Sequence, residues 1–364
     1  MTRHLGLAVR FAVICAALVL FAVTLASCAP NTDEFAREEG IGTARAPYAV
    51  DPTPRLTDHE LVAADGVALP LRVWLPPGGN PARVKAVILA LHGFDDYSNA
   101  FTIPAKLWAE EGIATYAYDQ RGFGRAPDHG LWPGRAPLAA DAATASRLLR
   151  RRYPGKPLYL LGESMGAAVA IIAETGESGT AKPDVDGVIL AAPAVWGRET
   201  MNLPERLGLW AMVRLFPSIK FSGRQLHIVA CDNRAVLEAL GRDPLVIKET
   251  RVDAVYGLVN LMSAALEAAP KMRVPLLLQY GAHDEIVPRD PVQLFVGDLP
   301  REPGIARRLA YYPHGYHMIY RDLDGATVAA DVASWVLDRA APLPSREDAA
   351  QNTRPWPPTP AQSG

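Results

Sequence analysis

Ser164, Asp284 and His317 are the residues of this chain whose types and order could carry nucleophilic acyl transfer. Ser164 stands in Gly162-Glu163-Ser164-Met165-Gly166. The apolar run Leu158-Tyr159-Leu160-Leu161 precedes it, and the small-residue run Ala167-Ala168-Val169-Ala170-Ile171 follows. That context reads as a buried strand, a sharp turn and a helix. Such a turn lifts a serine hydroxyl out at the end of a strand. Gly162 and Gly166 carry no side chain to strike the neighbouring strand and helix. The helix aims its first N–H groups and positive dipole end at a developing oxyanion. An ordinary strand-to-helix turn would share the pattern, so the partners decide between the two.

In a Ser, acid, His order the acid and base follow the serine, while an earlier strand end lends an oxyanion N–H. The apolar stretch 85–91 ends in His92-Gly93-Phe94. The backbone N–H of Phe94 pairs there with that of Met165 as an oxyanion hole, unless the stretch is a plain strand-to-loop turn. His92 precedes the serine and reads as a structural hydrogen-bonder. The apolar stretch 274–281 opens into Ala282-His283-Asp284-Glu285. Asp284 is the candidate acid, with Glu285 and Asp290 as competitors. Of the eight histidines only His314 and His317 follow Asp284. His317, two residues past Gly315, fits a loop folding back over the sheet, and His314 is the fallback. Their spacing could suggest a metal pair, but no third ligand cluster accompanies it.

The pieces Leu91-His92-Gly93-Phe94, Tyr118-Asp119-Gln120-Arg121-Gly122-Phe123-Gly124, Gly162-Glu163-Ser164-Met165-Gly166, Asp243-Pro244-Leu245, Gly281-Ala282-His283-Asp284 and Gly315-Tyr316-His317 point one way together. Over roughly residues 56–339 the chain resembles the monoacylglycerol lipase and lysophospholipase branch of the α/β-hydrolases. The resemblance implies Ser164 as nucleophile, Asp284 and His317 as its partners, and Phe94 with Met165 as oxyanion donors. It implies hydrolysis of a lipid or small-molecule carboxylic ester through an acyl-enzyme, with no metal and no organic cofactor. A general carboxylesterase or aminopeptidase on the same scaffold is the alternative enzyme. A lipoprotein using the scaffold only for binding is the alternative of another class. The branch usually has His where this chain has Glu163, and a third glycine where it has Ala167.

The elements that must position these groups alternate. Paired strands at 60–64 and 68–75 open the domain. A helix at 103–111, a strand at 114–118, a helix at 139–153 and a strand at 185–190 then bracket the serine turn. This predicts an α/β fold: a mostly parallel central sheet with helices on both faces. The candidate groups fall at carboxyl ends of strands, where open α/β sheets place their sites. Between 197 and 251 the alternation breaks, predicting a helical cap insertion. Its apolar helix at 204–216 carries Leu207, Trp210, Val213 and Phe216. Such a helix must be covered by something. It would form an acyl channel over Ser164 or dip into lipid, unless it only packs the cap onto the core.

The 364 residues, 49% hydrophobic and 21% charged, suffice for a sizeable core. A net charge of −2 gives no basic excess, so nucleic acid is not an expected partner. The ends read differently. Arg3, His4 and Arg10 lead into a continuous apolar and small-residue run at 11–26, short for a spanning helix and suited to a signal sequence. It ends in Leu25-Ala26-Ser27-Cys28, which resembles the lipobox of bacterial lipoproteins. That resemblance implies a signal peptide at 1–27, an acylated Cys28 anchoring the protein to membrane, and a place in the bacterial cell envelope. Ordinary signal cleavage or a retained anchor are the alternatives. Residues 28–55 read as a tether, 56–340 as the hydrolase domain, and 341–364 as a disordered Pro-rich tail. With Cys15 and Cys28 so used, Cys231 has no disulfide partner.

Overall fold

In the computed structural model residues 53–223, 228–349, 352 and 355–358 are described. The proposed signal peptide, Cys28 and nearly all of the tether lie outside them.

Strands β1 (Arg55–Leu56), β2 (Glu60–Val62) and β3 (Ala68–Trp74) form an antiparallel entry. The strands β4 (Ala86–Leu91), β5 (Ile113–Tyr118), β6 (Leu158–Glu163), β7 (Gly187–Ala191) and β10 (Leu276–Gly281) are buried at every residue. Runs apolar at consecutive positions require cover on both sheet faces, which parallel sheets with crossover helices provide. With β11 (Arg307–Tyr312) at the far edge, the order is β1-β2-β3-β5-β4-β6-β7-β10-β11. Every pair from β5 to β11 is parallel.

Successive residues of each central strand enter opposite cores. Leu89, Leu160 and Leu278 face one cluster. Ile88, Leu161 and Leu277 face the other. The helices α2 (Arg135–Arg152), α3 (Met165–Thr175) and α6 (Val252–Glu267) pack on the first face. On the second lie α1 (Thr102–Glu110) and α8 (Gly325–Leu337), joined by Trp108 Nε1 donating to the Ala329 carbonyl at 2.9 Å. Helix α7 (Arg289–Asp298) buries Phe295 in the first core.

The insertion after β7 holds α4 (Leu203–Leu215), β8 (Lys220–Phe221), α5 (Arg234–Arg242) and β9 (Thr250–Arg251). Helix α4 starts in a capping box: Asn202 accepts from the Glu205 N–H while Glu205 accepts from that of Asn202. Its apolar residues are not covered as expected. Only Val213 is buried, and Leu203, Leu207 and Trp210 are 63%, 57% and 46% exposed.

The segment from 341, expected to be a disordered tail, packs on the fold where it is described. Leu343 and Trp356 are buried. The Tyr311 N–H of the edge strand β11 donates to the Glu347 carbonyl at 3.0 Å, and Ser345 Oγ donates to Asp331 Oδ2 at 2.5 Å. A segment of few apolar residues is held by two of them and by polar groups that the sheet edge leaves open.

Candidate active site

The elbow is built by close approaches that only glycine permits. A Cβ on Gly162 would lie 2.3 Å from Gly166 C, and one on Gly166 would lie 2.1 Å from the Leu91 carbonyl oxygen. Strand β6, helix α3 and the end of β4 are thereby pressed together. Ser164 takes the strain, with φ 55° and ψ −117°. Its N–H donates to the Ala191 carbonyl at 2.9 Å, and its carbonyl accepts from Ala167 at 3.0 Å and Ala194 at 3.1 Å. The turn is therefore fixed from both sides.

Met165 is the first residue of α3, so its N–H has no acceptor within the helix. Gly93 lies against the elbow: a Cβ there would be 3.3 Å from Ser164 Cβ. This brings the 92–94 loop, and with it Phe94, beside the serine. His92 braces the loop. The Gln120 N–H donates to His92 Nε2 at 2.9 Å, which leaves Nδ1 to donate to the Gly93 carbonyl at 2.8 Å. Burial pushes the His92 pKa down, keeping the ring neutral for that pattern. The structural role read for His92 in the sequence is the one it has.

The acid and base loops are locked in the same way. A Cβ on Gly281 would lie 2.4 Å from the Gly315 carbonyl oxygen, and His283 N–H donates to that oxygen at 2.9 Å. Asp284 Oδ1 accepts from the Ile286 and Val287 N–H groups, each at 2.9 Å. Its Oδ2 then faces His317 Nδ1 at 2.8 Å. Burial alone would depress the His317 pKa. The charge and hydrogen bond of Asp284, with the Glu163 carboxylate beyond, outweigh it and raise the value above that of a free imidazole. His314 is exposed on the other arm of the loop, so the structure sets His317 and not His314 against Asp284.

Ser164 and His317 open on one cavity of about 610 Å³, whose walls include Leu240, Leu258, Val259 and Met262. Trp210 and Phe216 are absent from its lining. The cap contributes α5 and the following loop instead of α4, which corrects the expectation that α4 lines a channel. Helix α5 was passed over in the sequence, although Leu237 and Leu240, spaced i, i+3 among Arg234, Glu238 and Arg242, give it an amphipathic pattern whose apolar side faces the cavity.

Further residues of the site escaped the sequence reading. Asp95, directly after Phe94, has φ 62° and accepts from Thr250 Oγ1 at 2.5 Å, while its carbonyl accepts from the Ile247 N–H at 2.9 Å. Tyr97 Oη donates to Asp243 Oδ2 at 2.7 Å. The cap is thus hydrogen-bonded to the loop that carries the oxyanion candidate. Burial pushes the Asp95 carboxyl up to about 7, and Asp96 adds to the shift. Asp243, seen in sequence only as part of a motif, has here a physical task.

The comparisons agree with this frame. Residues 82–324 match the family described as "Serine aminopeptidase, S33". Human monoglyceride lipase is 26% identical over 293 residues, covering 77% of this chain and 90% of that protein. The monoacylglycerol lipase of Mycolicibacterium smegmatis is 23% identical over 283 residues, covering 77% and 97%. A soluble variant of Saccharomyces cerevisiae monoglyceride lipase, solved with a substrate analog, superposes with a TM-score of 0.60 at 21% identity, covering 81% and 99%. By the family match over two thirds of its length the chain belongs to the serine aminopeptidase S33 family, with an α/β-hydrolase fold shared with its structural neighbours and a likeness to monoacylglycerol lipases.

Proposed function

We propose that this ester hydrolase cleaves long-chain monoacyl lipids, monoacylglycerols first and lysophospholipids second, through an acyl-enzyme on Ser164. The observation that carries the reading is the mostly apolar cavity of about 610 Å³ with Ser164 and His317 in its wall. The volume lies within the range of pockets that enclose one small ligand. The names of the relatives favour glycerol esters among its possible occupants.

In this reading His317 takes the Ser164 proton as Oγ attacks the ester carbonyl. Asp284 holds Nδ1 protonated and stabilises the imidazolium. The N–H groups of Phe94 and Met165 receive the oxyanion, and one such donor contributes about 3–4 kcal/mol to the barrier reduction. His317 returns its proton to the departing alcohol. Water, activated by the same imidazole, then releases the fatty acid. These steps call on no metal and no cofactor.

The test compares a monoacylglycerol, a lysophospholipid, a short soluble ester and an aminoacyl amide. Turnover of the monoacylglycerol at the highest kcat/KM is expected. Preference for the amide would make the protein an aminopeptidase. Leu240→Trp or Met262→Trp, which narrow the cavity, should lower rates on long acyl chains about tenfold or more relative to short ones, since each buried methylene is worth about 0.8 kcal/mol.

Anchoring belongs to the same proposal. An acylated Cys28, supported by Leu25-Ala26-Ser27-Cys28 after the apolar run, would hold the enzyme on a membrane of the cell envelope. More than one acyl chain is needed for stable attachment. The exposed apolar face of α4 supports contact with lipid on the cap side. Intact mass of protein expressed in a bacterial host should give an acylated N-terminus at Cys28, lost in Cys28→Ser. An unmodified N-terminus elsewhere ends the proposal.

A further inference from the structure

Arg321 lies four residues past His317 and is 6% exposed. Its Nη1 donates to Asp96 Oδ2 at 2.6 Å, and its Nη2 donates to Glu163 Oε2 at 3.1 Å. Asp96 sits two residues past Phe94, and Glu163 immediately precedes Ser164. All three side chains lie in the wall of the cavity that holds Ser164 and His317. One guanidinium therefore touches the oxyanion loop and the nucleophile elbow while standing on the histidine loop.

We propose that Arg321 is a positioning residue for the hydrolytic reaction, clamping the oxyanion loop and the elbow to the loop that carries His317. The inference rests on the roles proposed above for Ser164, His317 and Phe94.

The chemistry of the three groups supports a clamp over simple filling. Asp96 and Glu163, like Arg321, are buried. Burying three charges is costly, and well-packed apolar residues of similar volume serve stability as well or better. The planar guanidinium offers separate donors in a fixed fork, so it fixes two carboxylates in direction as well as distance. It bridges segments 225 and 158 residues away in sequence. Its own backbone is held: the Arg321 N–H donates to the Met318 carbonyl at 2.7 Å, and its carbonyl accepts from Cys231 Sγ at 3.4 Å.

The clamp also sets charge around the base. Asp284 and Glu163 favour protonated His317, and Arg321 opposes it. Burial raises the Glu163 pKa above that of a free carboxyl and Asp96 and Asp322 add to the rise, while Arg321 and then His317 oppose it. Removing the Glu163 charge withdraws one influence that favours the imidazolium. The acid limb of kcat/KM in Glu163→Gln should therefore lie at lower pH than in the wild type.

The experiment measures fluorophosphonate labelling of Ser164, kcat and KM on p-nitrophenyl butyrate, and Tm. The proteins are wild type, Arg321→Lys, Glu163→Gln and the triple variant Asp96→Asn/Glu163→Gln/Arg321→Met. Labelling of the wild type reports on the nucleophile itself, and the ratio of variant to wild-type labelling reports on the clamp, so the two ideas fail separately. Lysine keeps the charge but offers no fork. Arg321→Lys should lower kcat and labelling between about ten- and a hundredfold, with KM within about twofold, the loss typical of small misplacements. Arg321→Met alone would strand two buried carboxylates. The triple variant removes all three charges together, so it should fold and show the same kcat loss. Wild-type kcat and labelling in Arg321→Lys, or in a triple variant that melts like wild type, would overturn the proposal.

Discussion

Ser164→Ala is expected to lose ester hydrolysis by about 10⁶-fold in kcat, the scale seen when a serine triad loses its nucleophile. Labelling by a fluorophosphonate should vanish with it. The melting temperature should stay close to that of the wild type. Alanine at φ 55° and ψ −117° bears the same backbone strain as serine, so the exchange leaves that cost unchanged. Ser164→Gly separates chemistry from strain. Glycine is at ease with positive φ, so this variant should be equally inactive and more stable by about 1 kcal/mol, a rise of roughly 2–4 °C in Tm for a domain of this size. The elbow would then be a place where stability is given up to hold an oxygen at the cavity wall. Turnover retained in Ser164→Ala would remove Ser164 from the mechanism. A Ser164→Gly variant no more stable than Ser164→Ala would show that the turn is not strained.

What the sequence made legible was local. The stretch 158–171 spells out strand, turn and helix because a buried parallel strand needs consecutive apolar residues and a close crossing needs glycine. Gly162 and Gly166 could be assigned tasks before any contact was known, and the distances at those positions bear this out. Helix α2 starts at Arg135, four residues before the expected 139, because Pro137 is tolerated within a first helical turn that has no N–H bonds to lose. The site's long-range ties were not legible. Arg321 meets Asp96 and Glu163 across loops with no periodicity, and nothing in one sequence pairs Thr250 with Asp95. The tail misled for the opposite reason. Composition averages over the segment, whereas Leu343 and Trp356 each need only one complementary gap. For helix α4 the apolar count could not choose between lining a channel and facing lipid, because both leave the same residues apolar; the described residues put Trp210 and Phe216 outside the cavity lining.

His317→Ala should cost nearly as much as loss of the nucleophile, about 10⁶-fold in kcat, because neither group acts without the other. His314→Ala should stay within about twofold, since His314 is exposed and His317 is the one bonded to Asp284. Asp284→Asn should fall between, near 10⁴-fold, with the tautomer of His317 no longer held. The pH dependence separates these cases further. The base must be neutral to accept the Ser164 proton, and its pKa is raised by Asp284 and Glu163. The acid limb of kcat/KM in the wild type should therefore lie above the pH of about 6.5 at which a free histidine titrates. Asp284→Asn withdraws the larger of the two favourable influences, so the limb of its residual activity should move to lower pH. The same protonation bears on stability. A raised folded-state pKa stabilises the fold fully below the unfolded value, and that contribution is lost as pH rises through the folded one. Melting temperatures followed across this range should thus decline on the side where activity climbs, and the decline should shrink in His317→Ala. An acid limb below 6.5 in the wild type, or activity that survives His317→Ala and not His314→Ala, would move the general base off His317.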